Sequence, residues 1–194
     1  MEINGYVYGI LAMKGVKSGR RIWVEISDEE LKKIAKEKLR SLIKKIYTRK
    51  RCGKKHYESL LIILEIEDLG ASLGRREWKV PSRAFSSEEF RREFLKAVFD
   101  FSGLIRARKR KGRKERCLRL SSINKEGLMS LKVLLEMEGI KALCYKMGKG
   151  YVLEINGKHN LQIYAEKIGF ENEKKRTLVK KILNPVEFER VNVS

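Results

Sequence analysis

The densest chemistry in this 194-residue chain is cationic. From Leu104 to Lys114 the sequence reads Leu-Ile-Arg-Ala-Arg-Lys-Arg-Lys-Gly-Arg-Lys, and Arg116 and Arg119 follow closely. In an extended strand, residues two apart share a face, so Arg106, Arg108 and Arg110 fall on one side and Ile105 and Ala107 on the other. Guanidinium groups about 7 Å apart, twice the strand rise, suit a row of phosphates or the edges of bases. Lys109 and Arg113 sit near the tip of the same hairpin, where phosphates are the expected contact. Smaller basic groups occur at Arg20 and Arg21, at Arg49, Lys50, Arg51 and Lys54, and at Lys146 and Lys149. With a formal net charge of +20, the chain repels itself unless a polyanion neutralises it. Double-stranded DNA or structured RNA is therefore the expected partner.

Other chemistry is sparse. Cys52, Cys117 and Cys144 form no C-x-x-C pair, and His56 and His159 lack regular metal-ligand spacing. The cysteines read as reduced thiols, and no metal or other cofactor is expected. No stretch of about 20 apolar residues is present, so no membrane span is expected. Glu2 and Asn4 break the layout of a signal peptide, which points to a cytoplasmic protein.

Two apolar, helix-like runs must position this chemistry. The first is Val7-Tyr8-Gly9-Ile10-Leu11-Ala12-Met13-Lys14-Gly15, and the second is Leu95-Lys96-Ala97-Val98-Phe99-Asp100-Phe101-Ser102-Gly103. Gly9, Ala12 and Ala97 are small enough to let two helix backbones approach closely, and Gly15 and Gly103 end the runs. The roughly 88-residue offset between those two glycines implies an internal duplication with pseudo-twofold symmetry.

Around the second run, capping residues and hydrophobic spacing predict the order helix, two strands, helix, two strands, helices. The elements fall at 86–102, 104–110, 115–121, 122–138, 140–147, 151–155, 158–168 and 172–183. The first half repeats this αββαββα plan with its first hairpin squeezed into 16–26, about seven residues shorter. Ser27 to Glu30 then opens a long basic helix carrying Leu31, Ile34, Leu39, Leu42 and Ile46 on one side. Strands at 46–51 and 56–64 and a helix at 65–73 complete it. The fold class is α+β, with a first half-domain at 1–74, a linker at 75–85 and a second half-domain at 86–194. Trp23 is expected in the core, and Tyr47 is a candidate for stacking on bases.

The helix seam followed by a basic ribbon resembles the LAGLIDADG homing endonucleases. The Leu120–Lys125 stretch, the Gly139-Ile140 turn and the Ala165–Phe170 segment fall where that family has similar residues. The resemblance implies that the two motif helices pack side by side, and that saddle-shaped antiparallel sheets from each half enter the DNA major groove. It also implies a helix-packing face formed by Gly9, Ala12, Gly15, Ala97 and Gly103. In the family, the eighth motif position is a metal-binding acid. Here that position is Lys14 in one copy and Ser102 in the other.

Two-metal hydrolysis needs anionic oxygens to hold the cations and activate water. An ammonium repels a divalent cation, and a hydroxyl is a poor ligand for it. The expectation is thus a nucleic-acid-binding protein without cleavage activity: a DNA-binding regulator or a maturase-like RNA or DNA binder, monomeric, with its symmetry internal. An ammonium at Lys14 could contact the phosphate that a metal would otherwise neutralise. Two alternatives stand beside this reading. One is an active Mg2+-dependent endonuclease with relocated acids, Asp100 or Glu25; the other is a basic ribosome- or protein-associated factor.

Overall fold

A computed structural model describes residues 3–51, 57–65, 73, 77–110 and 113–184. The chain begins with α1 (Gly5–Lys14), whose N-terminus is closed by the Asn4 side chain accepting from Val7 N at 2.9 Å. β1 (Gly15–Ser18) and β2 (Arg21–Ile26) form a short hairpin. Asp28 then caps α2 (Glu29–Lys38), accepting from the N–H groups of Glu30 and Leu31. β3 (Ile43–Arg51) and β4 (Tyr57–Glu65) complete a four-stranded sheet in the order β1-β2-β4-β3.

After the short α3 (Arg83–Ser86), the second half repeats the layout with longer elements. It runs α4 (Glu88–Ser102), β5 (Leu104–Arg110), β6 (Arg113–Ser122), α5 (Lys125–Met137), β7 (Ala142–Met147) and β8 (Gly150–Asn156). Its sheet has the equivalent order β5-β6-β8-β7. α6 (Lys158–Lys167) and α7 (Glu173–Leu183) follow. All strand pairs are antiparallel, which makes the fold α+β.

The long basic helix expected after Asp28 is shorter than its apolar spacing suggested. It stops at Lys38, a 3-10 turn covers Arg40–Leu42, and the chain turns extended at Ile43. Ile46 therefore lies in β3, opposite Ile62 of β4, and not on a helix. The run Ile43, Ile46, Tyr47 and Thr48 is β-branched and aromatic, and pairing with the apolar β4 satisfies it better than continued helix does. The turn at 52–56, with Lys54, and residues 66–72 of the helix expected at 65–73 lie outside the described residues. Glu65 itself ends β4.

α1 and α4 pack against each other along their length. A Cβ placed on Gly9 would stand 2.6 Å from the Ala97 Cβ and 2.8 Å from the Phe94 carbonyl oxygen, so only glycine fits there. Each seam helix also serves the other half's core. Tyr8 and Ala12 of α1 pack among Phe94, Phe99, Leu118 and Leu131, whereas Ala97 and Phe101 of α4 pack among Ile10, Leu11, Val24 and Ile62. This exchange explains why α1 is apolar nearly all round. Gly15 and Gly103 both have ordinary negative φ, and each donates its N–H into the last turn, to Leu11 and Phe99 respectively. A side chain at either site would run into that same carbonyl.

The segment expected as a linker is anchored. Trp78 is buried in the second core, its carbonyl accepts from Asn124 Nδ2 at 2.6 Å, and Gly127 of α5 leaves room for its ring.

Candidate nucleic-acid interface

Each sheet turns one face to its helices and, among the described residues, leaves the other free of helices. Strand register decides which residues share that outer face. In the first sheet, Ile22, Val24, Ile26, Leu60, Ile62 and Leu64 face the core. The outer face then carries Val16, Arg21, Trp23, Glu25, Lys45, Tyr47 and Arg49 along with Ser59, Leu61 and Ile63. In the second sheet, Ile105, Leu118, Leu120, Leu153 and Ile155 face the core. Leu104, Arg106, Cys117, Arg119, Leu143, Tyr145, Met147 and Glu154 share the outer face.

The expected arginine row is present in part. Arg106 is exposed on the outer face opposite Cys117, with Ile105 buried on the other side. For Arg108, Lys109, Arg110 and Arg113 only the backbone is described, and it continues the ladder to the pair Arg110–Arg113. Arg119 is not a bare cation: it is ion-paired with Glu154 and donates to the Tyr145 hydroxyl, which in turn donates to Glu154 at 2.9 Å. These residues line a cavity of about 420 Å³ with Arg106, Glu115 and Asn156.

Other expected cations separate. Arg116 pairs with Ala107, and Lys146 with Tyr151, so both belong to the helix-side register and not to the row of Arg106 and Arg119. Lys50 likewise alternates away from Arg49, and of Arg51 only the backbone is described. Arg20 lies in the β1–β2 turn and Lys149 in the β7–β8 turn, both exposed. Trp23, expected in the core, is half-buried on the outer face against Ile63. The flanking Ile22 and Val24 are the signal that could have shown this, since they claim the core side and force Trp23 outward.

The seam ends between the two outer faces. Lys14 and Ser102 line one cavity of about 740 Å³, together with Glu25, Ser121, Met147 and Tyr151. Lys14 makes no hydrogen bond or ion pair among the described residues, and burial pushes its ammonium below the usual lysine range. A second ammonium, which the sequence did not announce, stands close by. Lys175 of α7 donates to the carbonyls of Phe99, Asp100 and Gly103 at 2.7, 2.6 and 2.6 Å. Burial lowers it to about 8; Asp100 opposes that shift and the charge of Lys14 adds to it. Lys175 thus neutralises the carbonyl-rich end of α4.

Asp100 is fully buried and committed elsewhere. Its carboxylate accepts from the Tyr6 hydroxyl at 2.8 Å and from the N–H groups of Glu171 and Asn172 at 2.9 and 3.2 Å. Burial raises its pKa against the pull of those hydrogen bonds. It ties α1, α4 and the start of α7 together. Glu25 accepts from the Ser59 hydroxyl at 2.7 Å. Among the described residues, no group of three His, Cys, Asp or Glu side chains converges. An ammonium, a hydroxyl and an acid already saturated by donors do not fit a divalent cation.

Residues 89–169 match the family model described as a LAGLIDADG-like domain. The match spans α4 to the end of α6 in the second half. No curated protein sequence matches the chain. Among solved structures, the N-terminal LAGLIDADG domain of DUF199/WhiA is 15% identical, over 87% of this chain and 83% of that one, with a TM-score of 0.62. Full-length DUF199/WhiA from Thermatoga maritima is 14% identical, over 96% of this chain and 62% of that one, with a TM-score of 0.63. The homing endonuclease I-WcaI bound to its DNA recognition sequence is 11% identical, over 91% and 88%, with a TM-score of 0.69. At such identities the likeness establishes the fold: two LAGLIDADG-type halves, each with a four-stranded antiparallel sheet, about a shared helix seam. No helix among the described residues is long and apolar enough to cross a membrane.

Proposed function

We propose that this chain binds duplex nucleic acid, double-stranded DNA first, across the outer faces of both sheets, and that it does not cut by the metal-dependent route of the homing endonucleases. One observation carries the reading: two sheet faces that no described helix covers, bearing Arg21, Lys45 and Arg49 on one side and Arg106 on the other, flank a seam that ends in Lys14 and Ser102. The DNA-bound I-WcaI structure of the same fold supports it, as does the net charge of +20. A single chain supplies both halves, so it acts as a monomer. Binding without scission suits a DNA-binding regulator or a maturase-like helper.

The test is a mobility-shift titration on a 30-base-pair DNA duplex of mixed sequence, alongside an RNA hairpin of similar length, followed by incubation with 10 mM Mg2+ or Mn2+. Salt-sensitive binding to the DNA and uncut product are expected. Preference for the hairpin would move the reading to RNA. Metal-dependent cleavage abolished by Glu25→Gln would replace it with an endonuclease that uses a relocated acid.

A further inference from the structure

The outer face of the second sheet carries one cation that the fold has already answered with an anion. Arg119 of β6 stands directly opposite Glu154 of β8 and is ion-paired with it. The Tyr145 hydroxyl of β7 closes the group, accepting from Arg119 Nη2 and donating to Glu154 Oε2 at 2.9 Å. The guanidinium also lies near the Tyr145 ring, 6.0 Å from its centre. Side chains from three strands therefore fix one guanidinium. Arg119 and Glu154 keep 17% and 14% of their side-chain surface exposed, enough to touch a ligand and too little to swing freely.

Pairing changes what this guanidinium can recognise. A phosphate carries full charge, and the carboxylate beside Arg119 repels it. A base edge carries donors and acceptors without net charge, and a neutral Arg–Glu pair presents both kinds side by side. The end-on fork of Arg119, one N–H from Nη1 and one from Nη2, offers two parallel donors. The contact from Nη2 to Met147 Sδ, at 3.9 Å, is weak enough to yield. Glu154 receives both of its contacts on Oε2, which leaves Oε1 to accept another.

In the major groove a G·C pair shows the acceptors N7 and O6 on guanine and an N4 donor on cytosine. That order matches a forked donor beside a carboxylate. An A·T pair puts the adenine N6 donor where the fork needs its second acceptor. At the matching place in the first sheet Trp23 stands opposite Ile63, and no such pattern exists there.

We propose that Arg119, Glu154 and Tyr145 set sequence preference at one base pair: Arg119 donates to guanine N7 and O6, Glu154 accepts from cytosine N4, and Tyr145 positions both. The proposal rests on the duplex-binding reading above and adds to it the place and the identity of a preferred base pair. A cavity of about 420 Å³ beside the network leaves room for a base edge to approach.

The experiment is selection from a pool of 30-base-pair DNA duplexes with a randomised centre, using wild type, Glu154→Gln, Tyr145→Phe and Lys180→Gln. Lys180, exposed on α7, is a control away from the sheets. Anisotropy titrations on the selected duplex, and on versions with each G·C pair changed to A·T, then read the preference. Wild type should favour G·C about 10-fold at one position. In Glu154→Gln that preference should fall below about threefold at that position alone, while affinity for the unselected pool does not drop. Tyr145→Phe, which removes no charge, should relax the preference about threefold and leave the salt slope unchanged. Lys180→Gln should keep the preference, and thermal melting of each variant reports that the fold is kept.

An unchanged G·C preference in Glu154→Gln and Tyr145→Phe would overturn the proposal and leave the duplex reading intact. So would a loss spread evenly over every selected position, or a wild type that enriches no preferred sequence. Absence of any binding to the pool at low salt would remove the functional reading and this site together.

Discussion

Register lays the two sheets over one another strand by strand, and their outer faces differ at the centre. Where Trp23 faces Ile63 in the first sheet, Arg119 faces Glu154 in the second. Tyr47, opposite Leu61, matches Tyr145, opposite Val152. Val16 matches Leu104 on the strands that leave the seam, and both are exposed. One floor is thus aromatic and apolar with basic residues at its margin; the other is a prearranged Arg–Glu–Tyr network.

The ribbons differ too. Val16 pairs with Trp23, seven positions on, whereas Leu104 pairs with Arg119, fifteen positions on, so the second ribbon is eight residues longer. The same strand order here carries different surface chemistry. Under the proposed function, the second half would supply reach and polar contacts and the first a shorter, more apolar platform, so the proposal implies a lopsided footprint on nucleic acid.

The comparison presumes a seam that holds both halves in register, and the largest effect comes from breaking it. Gly9→Leu forces a side chain into Ala97 and the Phe94 carbonyl, and should cost about 3 kcal/mol or more in urea unfolding. A loss under about 1 kcal/mol would mean that the halves do not depend on close approach there. The next effect is in binding. Arg106→Ala with Arg108→Ala should weaken duplex affinity by about 10- to 100-fold in anisotropy titrations, more than Arg21→Ala with Arg49→Ala. Equal losses would erase the asymmetry.

The smallest effect tests the two floors directly. Glu154→Gln removes a carboxylate from the outer face of the second sheet, so under the proposed function affinity for mixed-sequence duplex should rise about threefold and the salt slope should steepen by about one. Trp23→Ala should leave the slope unchanged, because it removes no charge. A slope that moves with Trp23 and not with Glu154 would reverse the roles assigned to the sheets.

Much of the fold was legible in the chain because its signals are local. The N-terminal caps Asp28, Ser87 and Asn124, the apolar runs ending at Gly15 and Gly103, and the glycine turn at 148–150 each act within a few residues. The basic hairpin after Gly103 was legible for the same reason: alternation places Arg106 outward and Ile105 inward. Reading failed where two local signals competed. Residues 39–46 carry helical spacing and strand-forming side chains at once, and the pairing of Ile46 with Ile62, sixteen residues away, decided between them.

By itself the sequence determined the charge and the plan: a large positive excess, a duplicated helix-and-ribbon order, and Lys14 and Ser102 at the two helix ends, where the resemblance implies metal-binding acids. Only the tertiary structure decided which charges remain available. It engaged Arg119 with Glu154, closed the Asp100 carboxylate under Tyr6 and the N–H groups of 171 and 172, and brought Lys175 across more than seventy residues onto the end of α4. The reason is physical. Charge is a property of each residue, whereas its availability depends on which donors and acceptors folding places within about 3 Å, and for buried groups these come from distant parts of the chain.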